Sequence, residues 1–354
     1  QRPCDVVEDI LRIYGYNNVE IPSELKSSLT IAGDADKDYK RENIVSEQLV
    51  GEGFNEILNN SLTKTSYYEK NELNKYTWDK TVKVMNPLSA DLGVMRQTLL
   101  FGGLESIVRN INRKAKNLKF FEVGNCYWFN AEKHTPESPI KAYAQDYHMA
   151  LWVTGKRVEG SWAHPAEDSS FYEQKAYVDN IFRRVGITRE MLVEEPSDNN
   201  IFDKALTIEN HGGKTIAELG IVNHKILKDF DIDQHVFYAD IDWQALMKMS
   251  HKIKLEFKEL SKYPAVSRDL ALLIDDNVKF ADIEKIARQT EKKLLKRVEL
   301  FDVYTGKNLP AGKKSYAVNF ILQDENKTLN DKAIDAIMKK LIHQLTTKLG
   351  AELR

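Results

Sequence analysis

Residues 263–275 read YPAVSRDLALLID, and residues 346–354 close the chain with TTKLGAELR. What lies between them decides the fold of the C-terminal part. Leu270, Leu272 and Ile274 alternate within Asp269–Ile274, the period-two signature of a strand. Ile283, Ile286, Ala287, Thr290 and Leu294 then fall at helical spacing behind the acidic starter Asp282. Val298–Tyr304 predicts a second strand, Gly306, Pro310 and Gly312 a turn, and the alternating Ser315–Gln323 (SYAVNFILQ) a third strand. Asn330 and Asp331 suit a helix cap, ahead of one apolar stripe made by Ile334, Ile337, Met338, Leu341, Ile342, Leu345 and Leu349. Gly350 stops that helix, and Ala351–Arg354 is short enough for a last edge strand. The order βαββαβ predicts a ferredoxin-like unit, with two helices on one face of an antiparallel sheet.

Working outward, 354 residues of ordinary globular composition imply about two domains. No apolar run approaches the roughly 18 residues that a membrane span needs. The chain starts in a helical pattern without Met or a signal peptide, which suggests a piece of a longer polypeptide. Two isolated cysteines, Cys4 and Cys126, are too few for a disulfide scaffold or a Cys-based zinc site, and point to a reducing cytoplasm. The net charge of −2 argues by itself against nucleic acid. Its distribution says more: residues 262–354 hold 18 Lys+Arg and 13 Asp+Glu, or +5, leaving 33 against 40, or −7, for the rest. A basic terminal unit on an acidic body suits a module that meets phosphate.

Upstream, Pro3 and Gly15 bracket a helix with Val6, Val7, Ile10, Leu11 and Tyr14 on its apolar face. Asp5, Glu8 and Asp9 share another face, at i, i+3 and i+4. Such oxygens suit Mg²⁺, and acids in a first turn also complement the helix dipole. Residues 23–36 read as a polar connector, 37–50 as a helix with Ile44, Val45, Leu49 and Val50 inward, and Asn55–Leu62 and Val82–Met85 as strands. Leu104, Ile107, Val108 and Ile111 make a helical stripe. Leu118–Phe129, Met149–Thr154, Ala205–Glu209, Thr215–Val222 and Phe237–Ile241 read as strands, and Phe171–Val185 as an amphipathic helix. This alternation predicts an α+β architecture and not a doubly wound parallel sheet.

Several of these motifs carry a resemblance. YPAVSRDLA (263–271), LFDVYTGKNLPAGKKS (300–315), Thr328-Leu329 and GAELR (350–354) resemble the ferredoxin-fold anticodon-binding domain that ends the β subunit of bacterial phenylalanyl-tRNA synthetase. NPLSADLGVMRQTLL (86–100) to FFEVGNCYWF (120–129) resembles the catalytic-like domain of the same subunit, related to class II synthetase cores but not itself catalytic. DVVEDILRIYGY (5–16) resembles the end of a module with a Mg²⁺ site shared with the α subunit. The resemblance thus implies a metal-binding tail at 1–22, truncated at its N-terminus, a class II catalytic-like domain at 23–258 and an anticodon-binding domain at 262–354. Asp5, Glu8 and Asp9 match the acidic positions of the metal motif, whose further acid lies upstream, so the Mg²⁺ set is incomplete here. The family assembles as α₂β₂ and joins phenylalanine to its tRNA using ATP, with ATP held by α. This chain would be a platform for α and an arm for the tRNA anticodon, without an active site. A stand-alone RNA-binding adaptor is the alternative.

The residues agree with a lost nucleotide grip. A class II core clamps ATP phosphates with two arginines, whose planar forks meet phosphate bidentately. Arg157-Val158-Glu159 has the spacing of the first but sits in a Gly-bounded turn, and Gly102-Gly103 with Arg109 has the wrong glycine spacing for the second and reads as helix. GKNLPAGKKS (306–315) imitates a phosphate loop, yet its glycines are misplaced and a strand follows, so a hairpin turn is expected. For RNA, unpaired bases stack on aromatics while cations hold phosphates. On the free face of the terminal sheet, Tyr304 and Tyr316 are expected on adjacent central strands, with Arg268, Lys313 and Lys314 at strand starts reaching the same edge.

Overall fold

The computed structural model describes residues 2–24, 33–69, 72–253, 257, 259–306 and 309–354. Parts of the expected connector and of the junction near 258 therefore lie outside the described residues. The chain folds as two units, Gln1–Leu255 and Glu256–Arg354.

The first unit is organised by one sheet of β1 (Asn55–Glu56), β2 (Leu118–Phe129), β3 (Tyr143–Thr154), β4 (Leu192–Pro196), β5 (Phe202–Asn210), β6 (Thr215–Val222) and β7 (Val236–Asp242). The spatial order is β1-β2-β3-β7-β6-β5-β4, antiparallel throughout except for β1 against β2. The longer helices are α1 (Pro3–Tyr14), α2 (Asp34–Gly51), α3 (Leu100–Ile111), α4 (Phe171–Arg184) and α5 (Trp243–Ser250). β7 and the Met149–Val153 half of β3 are apolar at nearly every position because both sheet faces are covered there. Met149, Leu151 and Val153 enter one core with Leu49 of α2, Ile181 of α4 and Leu246 of α5. Ala150 and Trp152 enter a second core on the other face with Leu104 and Ile107 of α3. β7 divides the same way, with Phe237, Ala239 and Ile241 on the first side and Val236 and Tyr238 on the second. Gly103 lets α3 lie against the sheet, since a Cβ there would run into the Trp152 indole.

Two expected strands are corrected. Asn55–Leu62 is interrupted after Glu56, and Leu62–Thr63 pairs instead with Val94–Met95. The cause is local: the Asn59 N–H and Nδ2 both donate to Glu122, and Asn60 Oδ1 accepts from the Leu62 N–H, so side chains displace the ladder. Val82–Met85 reduces to a single bridge, Lys83 with Val94. β4 and α5 were not anticipated, and β5 starts three residues earlier than expected.

The second unit comprises β8 (Val266–Asp275), α6 (Phe280–Thr290), β9 (Leu295–Tyr304), β10 (Lys313–Leu322), α7 (Asp331–Leu349) and β11 (Glu352–Leu353), the expected βαββαβ. The sheet is antiparallel, in the order β9-β10-β8-β11. Leu272, Ile274, Val298, Val318 and Phe320 face Ile283, Ile286 and Ala287 of α6 and Ile334, Leu341 and Leu345 of α7. Asn330 Oδ1 accepts from the Ala333 N–H at 2.9 Å to open α7, and Gly350 at φ +62° closes it. α6 ends at Thr290, so Leu294 packs from the following turn rather than from the helix. Among the residues described in 306–315, the stretch is the expected turn: Leu309 N–H donates to Gly306 O, Lys313 N–H to Pro310 O, and β10 begins at Lys313. β9 lies at an edge, not in the centre as expected, and it carries a bulge: Leu300 opposes Val318 and Asp302 opposes Ala317, leaving Phe301 as the extra residue.

Candidate nucleic-acid interface

Residues directly opposite one another in an antiparallel ladder share a face. Tyr316 opposes Leu272 and Val303, and Lys314 opposes Ile274, so both side chains belong to the helix-covered side. Tyr316 packs on that core, and Lys314 Nζ sits 4.8 Å from its ring centre while donating to Asp276 O at 2.8 Å. Tyr304 opposes Ser315, and Lys313 opposes Asp275, on the open side. The two tyrosines therefore do not form one stacking platform. Arg268 opposes Phe320, six residues along β8 from Ile274, or about 20 Å at strand rise. It lies at the other end of the sheet from Lys313 and Lys314 and pairs with Asp331 at 3.8 Å. The expected common edge is thus divided between two ends and two faces.

The open face also answers most of its own charge. Lys313 Nζ bonds Glu352 at 2.6 Å, and that carboxylate holds the ammonium pKa above its ordinary value. Arg297 pairs with Glu299 at 3.1 Å, and Asn319 Nδ2 donates to Ser267 and Asp269. Tyr304 remains 38% exposed, with the Arg354 guanidinium 5.6 Å from its ring centre.

In the first unit, the sheet face beneath α3 carries a buried polar strip. Arg96 lies over Gly124, where any Cβ would collide with its guanidinium. Its NH1 donates to Glu122 at 2.6 Å and to Asn59 O at 3.3 Å, and its Nε to Asn125 O at 2.9 Å. Further along, His148 Nδ1 meets Asp240 at 2.6 Å. Burial pulls the His148 pKa down, but the Asp240 carboxylate more than reverses this and leaves it raised. Burial pushes Asp240 up, and His148 brings it below its ordinary value. Burial also pushes the Cys126 thiol well up, so it stays protonated. Sequence reasoning missed this strip, although Glu122, His148 and Asp240 stand out singly in apolar strands. Its arginine is consumed internally. Arg157 pairs at the surface with Glu167 at 3.2 Å, in a hairpin of Lys156–Val158 with Glu167–Asp168. Arg109 sits in α3, as expected, and lines a cavity of about 960 Å³ with the acids Asp91, Glu105, Asp229 and Asp231. The lining also holds Lys64, 3.8 Å from Glu105, and the internally bonded Arg96, so four carboxylates face three cations and leave no surplus positive charge for a triphosphate.

On α1, the Arg2 N–H donates to Asp5 at 3.0 Å and holds its carboxyl below the usual range, while Glu8 pairs with Arg12 at 2.7 Å. Among the described residues no three His, Cys, Asp or Glu side chains gather into a metal-binding group. Asp5, Glu8 and Asp9 do not fit Mg²⁺ by themselves. The apolar side of α1 is as expected, but no residue of the helix is buried. Among the described residues no helix is long and apolar enough to cross a membrane.

Residues 21–243 match the family model described as phenylalanyl tRNA synthetase beta chain CLM domain. The chain belongs to this beta-chain family. Residues 261–354 match the model of the ferredoxin-fold anticodon binding domain, in line with the βαββαβ unit. The phenylalanine–tRNA ligase beta subunit of Bacteroides fragilis is 62% identical over 354 residues, covering 100% of this chain and 43% of that protein. Those of Porphyromonas gingivalis and Clostridium tetani are 51% and 32% identical, over 100% and 99% of this chain and 43% and 42% of theirs. The chain thus spans less than half the length of the curated relatives it matches. A solved pyrrolysyl-tRNA synthetase from Desulfitobacterium hafniense superposes with a TM-score of 0.44 at 13% identity, over 60% of this chain and 69% of that one, too loosely to inform the fold.

Proposed function

We propose that this chain is part of the beta subunit of a phenylalanine–tRNA ligase, an α₂β₂ enzyme of the cytoplasm that joins phenylalanine to its tRNA using ATP. The alignment at 62% identity along the whole chain carries this reading. In it, residues 23–258 form a class II catalytic-like domain that supports α, which holds ATP and the active site. Residues 262–354 bind the anticodon region of tRNA. The mostly antiparallel seven-stranded sheet with helices on both faces supports the class II kinship. Absence of chemistry in this part is supported by the internal use of Arg96 and the acidic lining around Arg109. Residues 1–22 are read as the tail of a metal-binding module in which Asp5, Glu8 and Asp9 would need further ligands for Mg²⁺. Of the five tRNA candidates, Tyr304 is the best placed, whereas Arg268, Lys313, Lys314 and Tyr316 are already engaged within the unit.

The test is to mix the chain with the α subunit and follow both by size-exclusion chromatography, alongside ATP–pyrophosphate exchange. Co-elution, with no exchange by this chain alone, is the expected result. Exchange by the isolated chain, or failure of α to bind it, defeats the reading.

A further inference from the structure

The first unit is acidic as a whole, yet one stretch of it is not. No Asp or Glu falls between Glu105 and Glu122, and Arg109, Arg113, Lys114, Lys116 and Lys119 lie in that interval. Arg109 complements the dipole at the end of α3, and Lys119 is answered by Glu173 at 3.1 Å. Arg113, Lys114 and Lys116 belong to the exposed turn that follows α3, and among the described residues none of the three pairs with an acid. Lys114 holds φ +71°, a conformation that favours glycine or asparagine. The turn is pinned against the end of β3. Asn117 Oδ1 accepts the Lys156 N–H at 2.8 Å, Gln234 Nε2 donates to Lys116 O at 2.7 Å, and Gly155, at φ +82°, leaves the room that a Cβ would take from Lys116 O. Asn117 Nδ2 also donates to Glu159 at 2.7 Å, in the hairpin of Lys156–Val158 with Glu167–Asp168. Three residues beyond Glu159, at most about 10 Å of extended chain, stands Trp162, which is 100% exposed. A hydrogen-bonded turn presents it: the Ser161 N–H donates to His164 O at 2.9 Å, and Ser161 Oγ accepts from the Ala163 and His164 N–H groups at 3.3 and 3.2 Å. The acids of this hairpin are engaged, Glu159 by Asn117, Glu167 by Arg157 and Asp168 by Lys156, so they do not answer the cations of the turn.

We infer that this turn and hairpin together form a site for unpaired RNA on the first unit, with phosphates on Arg113, Lys114 and Lys116 and a base stacked on Trp162. The inference goes beyond the reading above, which gives this unit no contact with nucleic acid, and it leaves the second unit's sheet in its anticodon role. A cationic track for the backbone beside an aromatic face for a base is the pairing of parts that holds single strands without reading their sequence. An acidic protein offers the same charge, but a protein interface is centred on a cluster of apolar anchors. Trp162 stands without such a cluster: among the described residues no other large apolar side chain is exposed between Tyr143 and Tyr172, and none is exposed between Leu88 and Ile140.

The experiment titrates the full 354-residue chain with a single-stranded oligoadenylate of about ten nucleotides, from about 50 to 200 mM salt, and follows indole fluorescence. All five tryptophans lie in the first unit, and Trp162 alone among them is exposed, so quenching reports on this site and not on the second unit's sheet. The parent is expected to be quenched as the strand binds. Arg113→Gln/Lys114→Gln/Lys116→Gln should raise the quenching midpoint about tenfold and make its salt slope shallower by about two. Trp162→Ala should abolish the quenching, and circular dichroism checks that both variants fold. A parent that is not quenched, a triple variant with the parent's midpoint and slope, or quenching that persists in Trp162→Ala overturns the inference. If the α subunit quenches Trp162 and the strand does not, the hairpin is a protein anchor and the inference falls. The oligoadenylate titration involves neither α nor ligation, so the ligase reading stands or falls separately.

Discussion

The polar face of the first unit's sheet and the cationic surface of the second unit resemble each other in residue types and differ in who holds the charges. Arg96, Glu122 and Asp240 are buried and His148 is half-buried, and they are joined in two pairs, Arg96–Glu122 and His148–Asp240, so the charges of this face are answered by its own side chains. The lysines of α7 and the turn after α6 are exposed and unanswered by acids among the described residues. Function in such a chain is read from unsatisfied charge, not from the presence of arginine or lysine.

The contrast can be broken most sharply at Arg96. Replacing it in Arg96→Met strands Glu122 at 0% exposure with only Asn59 as donor, and should destabilise the first unit by about 3–5 kcal/mol in urea unfolding. Arg96→Met/Glu122→Leu should recover much of that loss, because no buried charge remains. If the single variant is as stable as the parent, the strip is not a closed network. Next in size is Gly103→Ala, which forces α3 off Trp152 and should cost about 1–3 kcal/mol. No loss there would mean that the sheet face is not tightly lidded. The smallest effect concerns His148. Its folded pKa lies above the ordinary 6.5, so the folded state binds the extra proton. The stabilisation is full below 6.5 and fades as pH rises through the raised value. Unfolding free energy should therefore fall over that window in the parent and not in His148→Gln. Equal pH slopes in the two proteins would show that the ion pair adds nothing to stability.

The second unit was legible nearly element by element, because its strands and helices have one apolar face each and the two periods are distinct. The class of the first unit was legible too. Its details were not, where side chains compete with the backbone: the Asn59 and Asn60 bonds that end β1 leave no mark in hydrophobic periodicity. The RNA candidates fared unevenly for a related reason. Tyr316 shares its alternation with Val318, Phe320 and Leu322, so its inward direction was readable. The pairing of Arg268, Lys313 and Glu352 with distant charges depends on register and strand order, which composition does not encode. Asp5, Glu8 and Asp9 share one short helix, as their spacing predicts, but among the described residues no three acids gather around a common point.

The bulge in β9 sets which way an aromatic ring points. By simple alternation from Val298 and Leu300, Tyr304 would point toward the helices; the extra Phe301 inverts the phase, so that Tyr304 emerges on the opposite surface beside Arg354. A single inserted or deleted residue at this outer strand is therefore a lever on which aromatic group meets the surroundings. The extra residue itself, Phe301, is 60% exposed, so the device that turns Tyr304 outward stands outside the core that α6 and α7 build.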